Sequence, residues 1–150
     1  MANSVCEVLL TEARLKVSEE EVHSGAGAVV DFWGVVRRLE DEQKIDGIEY
    51  EAHLAMAEHQ LQLIAQKALK KFQLMKVIVH HRVGFVAAGE ASLFLRVEAE
   101  HRAAAFAASK WIVDELKERV PIWKRPAFGP RQTGSKATAR PAESAIFKAK

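Results

Sequence analysis

Lys117 lies in a helix-like run, "DELKER", and is followed seven and eight residues later by Lys124 and Arg125, set behind Pro121-Ile122-Trp123. Lys110 and Lys117 are seven apart, so on a helix of 100° per residue both fall beside Phe106 and Val113, at the edge of the apolar stripe Ala105, Ala108, Ile112 and Leu116. A lysine at that edge has two readings. It snorkels, with its stem along the core and its ammonium in water, or it is drawn into a pocket and serves proton transfer or anion binding. After Pro121 the chain is expected to be extended, so Lys124 and Arg125 point to opposite sides and only one of them can join Lys117. Their plain role is to complement the helix dipole.

Two further cation pairs stand at element ends. Arg37-Arg38 follows "FWGVV", and His101-Arg102 lies between "FLRVEAE" and the next helix. Strand-to-helix junctions line clefts in many α/β proteins, and a helix N-terminus adds N–H groups that suit a phosphate or carboxylate. Alternatively, Arg37-Arg38 pair with Glu40, Asp41 or Glu42 as solvated surface charge. His80-His81 are neighbours on a strand and face opposite ways, with no His-x-x-x-His or cysteine partner, so no metal site is expected. Nor does the chain hold a phosphate-binding glycine loop, a Gly-x-Ser-x-Gly elbow or a dinucleotide fingerprint, so no cofactor is expected.

The elements that position these residues follow from periodicity. "VCEVLLTEARL" (5–15) reads as a strand, and Ser18 and Glu21 have capping-box spacing for a short helix ending near Gly25-Ala26-Gly27. "AVVDFWGVVR" (28–37) is a strand with Gly34 as a bulge or point of close approach, and "DGIEYEAHL" (46–54) alternates well enough to pair with it. "MAEHQLQLIAQKALKKF" (56–72) is a helix closing on Lys70-Lys71, and "KVIVHHRVGFV" and "ASLFLRVEAE" form a hairpin through residues 87–90. A helix over 103–120 stops at Pro121. Incomplete alternation of strands and helices predicts an α+β fold, with helices packed on one side of a mixed or antiparallel sheet.

The 150 residues suit one domain over 1–128. Residues 129–150, rich in Gly, Pro, Ser, Ala and charge, are expected to form a flexible cationic tail. Residues 126–150 carry five cations and one acid, a net +4, which leaves −2 on residues 1–125 of a chain whose total is +2. An acidic body argues against a broad nucleic-acid surface. Cys6 is the only cysteine, which excludes an intramolecular disulfide and a cysteine zinc cage. With no apolar run of membrane-spanning length and no signal-like N-terminus, a soluble, cytoplasmic protein is expected.

Read together, "FWGVVR", "IEYEAH", "HHRVGFVAAGE", "VEAEHRAAAF" and "LKERVPIWKR", five blocks over about residues 28–125, resemble the large, catalytic subunit of the molybdopterin synthase family. The resemblance implies an α+β fold of α/β hammerhead type and a homodimer within a heterotetramer. Each large subunit would bind a small ubiquitin-like sulfur carrier whose C-terminal Gly-Gly bears a thiocarboxylate. The sulfur would pass to cyclic pyranopterin monophosphate to build the molybdopterin dithiolene. Lys117 and Lys124 match the family's catalytic lysines, and Arg37, His101, Arg102 and Arg125 its substrate-binding cations. Pro121 and Trp123 would then fix a cation at the mouth of a pocket. Pro126 stands where the family has an acid, and His53 where it has an aromatic residue. The alternative is a non-catalytic RNA- or protein-binding module that uses the Lys/Arg cluster and the tail.

Overall fold

The computed structural model describes residues 5–128. In chain order the elements are β1 (Cys6–Thr11), β2 (Ala28–Val35), β3 (Leu39–Glu40), β4 (Gln43–Lys44), β5 (Gly47–Ala52), α1 (Leu54–Phe72), β6 (Lys76–Arg82), β7 (Gly84–Ala87), β8 (Ala91–Ala99), α2 (Arg102–Arg119) and β9 (Ile122–Ala127). The fold is α+β. A four-stranded sheet has the order β1-β6-β8-β2, with β1 and β6 parallel and the other pairs antiparallel. A three-stranded antiparallel sheet has the order β7-β5-β9, and β3 and β4 form a short hairpin.

Alternation sets the core. Val77 and Val79 on β6 and Leu93, Leu95 and Val97 on β8 bury one face of the larger sheet, against Leu61, Ile64, Ala65 and Ala68 of α1 and Ala105, Ala108, Ile112 and Leu116 of α2. Those four α2 residues are the stripe expected from the sequence. The helices meet edge to face at Phe72 and Trp111, 5.9 Å between ring centroids. α1 begins at His53, whose Nδ1 accepts the Met56 N–H at 3.3 Å. The histidine at this position thus has a capping role. The helix ends on Lys70 and Lys71, with Gln73 in the left-handed region at φ 56°.

Four expectations are corrected. β5 does not pair with β2 but lies between β7 and β9 in the smaller sheet, while β2 pairs with β8. No helix forms at Ser18. Its Oγ accepts from Glu20 N at 3.2 Å, and the Glu20 carboxylate takes a hydrogen bond from Lys76 Nζ at 2.9 Å, so a long-range ion pair outcompetes the local cap. The run "KVIVHHRVGFV" is two strands. β6 pairs with β8, but Gly84, at φ 87°, turns the chain so that β7 joins β5 in the other sheet. Residues after Pro121 are extended as expected, yet they form a full strand, β9, on the edge of the smaller sheet, where Pro126 costs no ladder hydrogen bond. Gly34 behaves as expected. The β2–β8 register shifts between Gly34 and Val35, and a Cβ on Gly34 would lie 3.3 Å from Leu93 Cβ. The tail expected at 129–150 lies outside the described residues.

Candidate active site

The second sheet meets the C-terminal end of α2 around a cavity of about 160 Å³. Val113, Leu116 and Lys117 enter it from α2, Lys124 from β9, Ile48 and Tyr50 from β5, His81 from β6, Ser92 and Leu93 from β8, Phe32 and Gly34 from β2, and Arg37 and Glu40 from the segment after β2. Lys117 reaches the cavity because it follows Leu116 at the edge of the buried stripe and is itself only half-buried. Lys110, seven residues earlier, instead stays in solvent in an ion pair with Asp114, 2.7 Å away. Lys110 thus stands in solvent, whereas Lys117 lines the cavity.

Lys124 is placed by strand pairing. It lies opposite Tyr50 in the β5–β9 register, and cross-strand partners project from the same face. Trp123 and Arg125 fall on the other face, opposite Glu51 and Glu49. Trp123, 38% exposed, is thus not the residue that fixes the lysine, contrary to expectation. The Lys124 ammonium stands 3.6 Å from a Glu40 carboxylate oxygen. Glu40 therefore reaches across to β9 and does not serve as the surface partner expected for Arg37-Arg38.

The polar floor is neutral. Tyr50 donates to Ser92 Oγ at 3.2 Å, and Ser92 Oγ donates to the Gly34 carbonyl at 3.4 Å. Burial pushes the Tyr50 phenol up, the Ser92 hydroxyl partly offsets this, and the Glu40 charge adds to it. His81 is fully buried, edge-on to Tyr50 at 5.3 Å, and its Nδ1 donates to the Arg82 carbonyl at 2.7 Å. That bond assigns the ring proton to Nδ1. Burial depresses the imidazole to about 4. His80 faces the other side of the sheet and meets Glu7 at 2.7 Å, so the two histidines diverge as their adjacency predicts. Among the described residues no group of three His, Cys, Asp or Glu side chains is arranged to hold a metal ion.

Of the six site residues expected from the sequence, the structure brings Arg37, Lys117 and Lys124 together and leaves three apart. His101 caps the opposite end of α2 without a side-chain hydrogen bond, Arg102 is the first helical residue, and both are exposed. Fifteen residues at 1.5 Å each place Arg102 about 22 Å along the axis from Lys117. Arg125 is half-buried on the face of β9 turned away from the cavity. Glu40, Tyr50, His81 and Ser92 were not singled out for the site. Only the apolar alternation around Tyr50 and the buried strand around His81 signalled that these two face inward.

The model of the family described as MoaE protein matches residues 10–119. The chain belongs to the MoaE family. MoaE relatives include the molybdopterin synthase catalytic subunit of Thermoplasma volcanium, 43% identical over 100 residues that make up 67% of this chain and 73% of the relative. The catalytic subunit of Pyrococcus abyssi is 40% identical over 102 residues, 68% of this chain and 69% of the relative. Among solved structures, the molybdopterin synthase of Staphylococcus aureus superposes with a TM-score of 0.72 at 26% identity, covering 87% of this chain and 96% of that one. The matched span holds Arg37, His101, Arg102 and Lys117, and Lys124 lies just beyond it.

Proposed function

We propose that this MoaE chain is the catalytic subunit of a cytoplasmic molybdopterin synthase. It moves sulfur from the C-terminal thiocarboxylate of a small ubiquitin-like subunit to cyclic pyranopterin monophosphate, as a homodimer within a heterotetramer. The observation that carries the reading is the convergence of Lys117 and Lys124, from different elements, on one cavity that also receives Arg37. Two ammonium groups and a guanidinium suit a thiocarboxylate and a phosphate arriving together. The fold neighbours add support. One, from Helicobacter pylori, is a complex of subunits 1 and 2 of the molybdopterin-converting factor, with a TM-score of 0.59 and 18% identity.

In this reaction the thiocarboxylate sulfur bonds to a pterin side-chain carbon as a carbon–oxygen bond there breaks, the oxygen leaving with phosphate or as water. A water then cleaves the acyl–sulfur bond, and a second thiocarboxylate repeats the sequence for the other sulfur. The small subunit is returned as a carboxylate. Negative charge gathers on the acyl oxygen as water adds, and an ammonium aimed at that oxygen stabilises it and can deliver a proton to the departing group. Lys117 and Lys124 take these roles, and Arg37 holds substrate phosphate. His101, Arg102 and Arg125 are the remaining substrate-binding cations. Because His101 and Arg102 lie about 22 Å from Lys117 along α2, they serve a cavity of the neighbouring subunit. Residues 129–150 are dispensable for turnover in this reading, and their deletion should leave activity within a few-fold.

The test is to mix the protein with a thiocarboxylated small subunit and the cyclic precursor, then assay for molybdopterin. Formation of the dithiolene product supports the reading. Binding of the small subunit without any product would leave a non-catalytic assembly partner.

A further inference from the structure

The walls of the cavity carry three cations, Arg37, Lys117 and Lys124, and among the described residues lining it Glu40 is the one carboxylate. A carboxylate there is unexpected, because it opposes the very anions that the cations suit. Its neighbours in the fold explain why it must come from so far away. On β5 the acids Glu49 and Glu51 flank Tyr50 and therefore face away from Lys124. On β9 the next residue on the Lys124 face is Pro126, which has no charge. The smaller sheet offers the lysine no acid, and the β3–β4 hairpin supplies one.

That hairpin is built to aim a side chain. Asp41 and Glu42, at φ 52° and 64°, form a two-residue left-handed turn, and both are exposed. Glu40, immediately before the turn, points inward instead, with 20% of its side chain exposed. It comes within 3.6 Å of the Lys124 ammonium, and its charge is felt by the Tyr50 phenol on the cavity floor. A partly exposed ion pair at this separation adds little to folding. Its effect lies in where the ammonium is held.

We propose that Glu40 is a positioning residue, holding Lys124 toward the cavity and its reacting groups; this rests on the reading of the cavity as the sulfur-transfer site. Lysine has four rotatable bonds and no preferred direction of its own, so a fixed counter-charge restricts where the ammonium is found. Small displacements of a catalytic group cost heavily in rate.

A double-mutant cycle tests this in the reconstituted synthase. Glu40→Gln should lower kcat about ten-fold with KM for the pterin nearly unchanged, and Glu40→Asp should recover part of the loss. In a Lys124→Ala background Glu40→Gln should have no further effect. An equal loss in both backgrounds would overturn the proposal, and so would a Glu40→Gln variant with lower KM and undiminished kcat, since the carboxylate would then be competing with the substrate's anions. A second readout needs no turnover. Acetylation of Lys124 by dilute acetic anhydride, followed by peptide mass spectrometry, should be several-fold faster in Glu40→Gln while Lys117 labels at its usual rate. Unchanged labelling of Lys124 would sink the pairing. If the unmodified protein makes no product yet the labelling difference is seen, the sulfur-transfer reading fails and the lysine–glutamate pair stands.

Discussion

At its C-terminal end α2 delivers Lys117 into a cavity walled by both sheets, whereas at its N-terminal end His101 and Arg102 are exposed. Both ends carry cations beside a strand, and in the sequence they look alike. The difference lies in what the fold sets against them. Beyond Lys117 the chain turns at Pro121 and pairs with β5, which brings Lys124 to the same cavity. Ahead of Arg102 the chain leaves β8, and His101 makes no side-chain cap. One end brings three cations to one cavity, and the other presents its two cations to solvent.

The largest effects should come from the enclosed end. Lys117→Ala and Lys124→Ala should each lower turnover by about 10² or more with little change in melting temperature, because they remove acid–base and electrostatic stabilisation from groups that are only partly buried. Full activity in either variant would remove that lysine from the mechanism. The contrast sharpens in mixed dimers. A Lys117→Ala chain combined with an Arg102→Ala chain should regain activity, since one of the two cavities then has an intact lysine facing an intact arginine. No recovery would mean that the two ends of α2 do not share a site.

At the open end the expected effect is on binding. Arg102→Ala should raise KM for the pterin ten- to a hundred-fold, about 1.5–3 kcal/mol for one charge-assisted contact, with kcat largely kept. Arg102→Lys should recover only part, because a point charge cannot reproduce a planar two-pronged contact. If Arg102→Ala instead weakens the small subunit and leaves KM alone, the arginine belongs to the protein interface.

The same contrast separates what was legible in the sequence from what was not. Both helices were legible, since apolar residues at three and four mark a face wherever it packs, and Lys117 was placed at the edge of that face by arithmetic alone. β9 as a strand was not, because Trp-Lys-Arg-Pro has the composition of a helix end and only its pairing with β5 defines it. The split of "KVIVHHRVGFV" was hidden because Gly84 sits inside a run that reads as one strand. Glu40 and Tyr50 reach Lys124 from other elements, and no spacing along the chain encodes such a meeting. Nor does spacing distinguish a cation that faces its own cavity from one 22 Å away on the same helix.

The smallest expected effect lies beneath the enclosed end and concerns stability. His81 is fully buried with its imidazole depressed to about 4, against 6.5 for the free group. Its folded-state value is the lower one, so above about pH 6.5 both folded and unfolded chains hold it neutral and its contribution is complete. As pH falls from 6.5 toward 4 the unfolded chain binds a proton that the folded chain refuses, and stability declines by at most about 1.4 kcal/mol per pH unit. Below about 4 both forms are protonated and this loss stops. The carboxylates act lower. Glu20, held down by its hydrogen bonds to Glu7 and Lys76, and Glu90, held down by Arg82, start from an ordinary value of 4.5, so their contribution is lost only as pH falls below that range. The window from pH 6.5 to 5 therefore reports mainly on histidine. His81→Asn keeps a donor for the Arg82 carbonyl but cannot titrate. It should be less stable than the parent at pH 8, because it underfills the site, and its melting temperature should fall less steeply across that window. Equal slopes in the two proteins would mean that His81 is reached by water and protonates in the folded chain, and that the floor beneath Lys117 and Lys124 is wet.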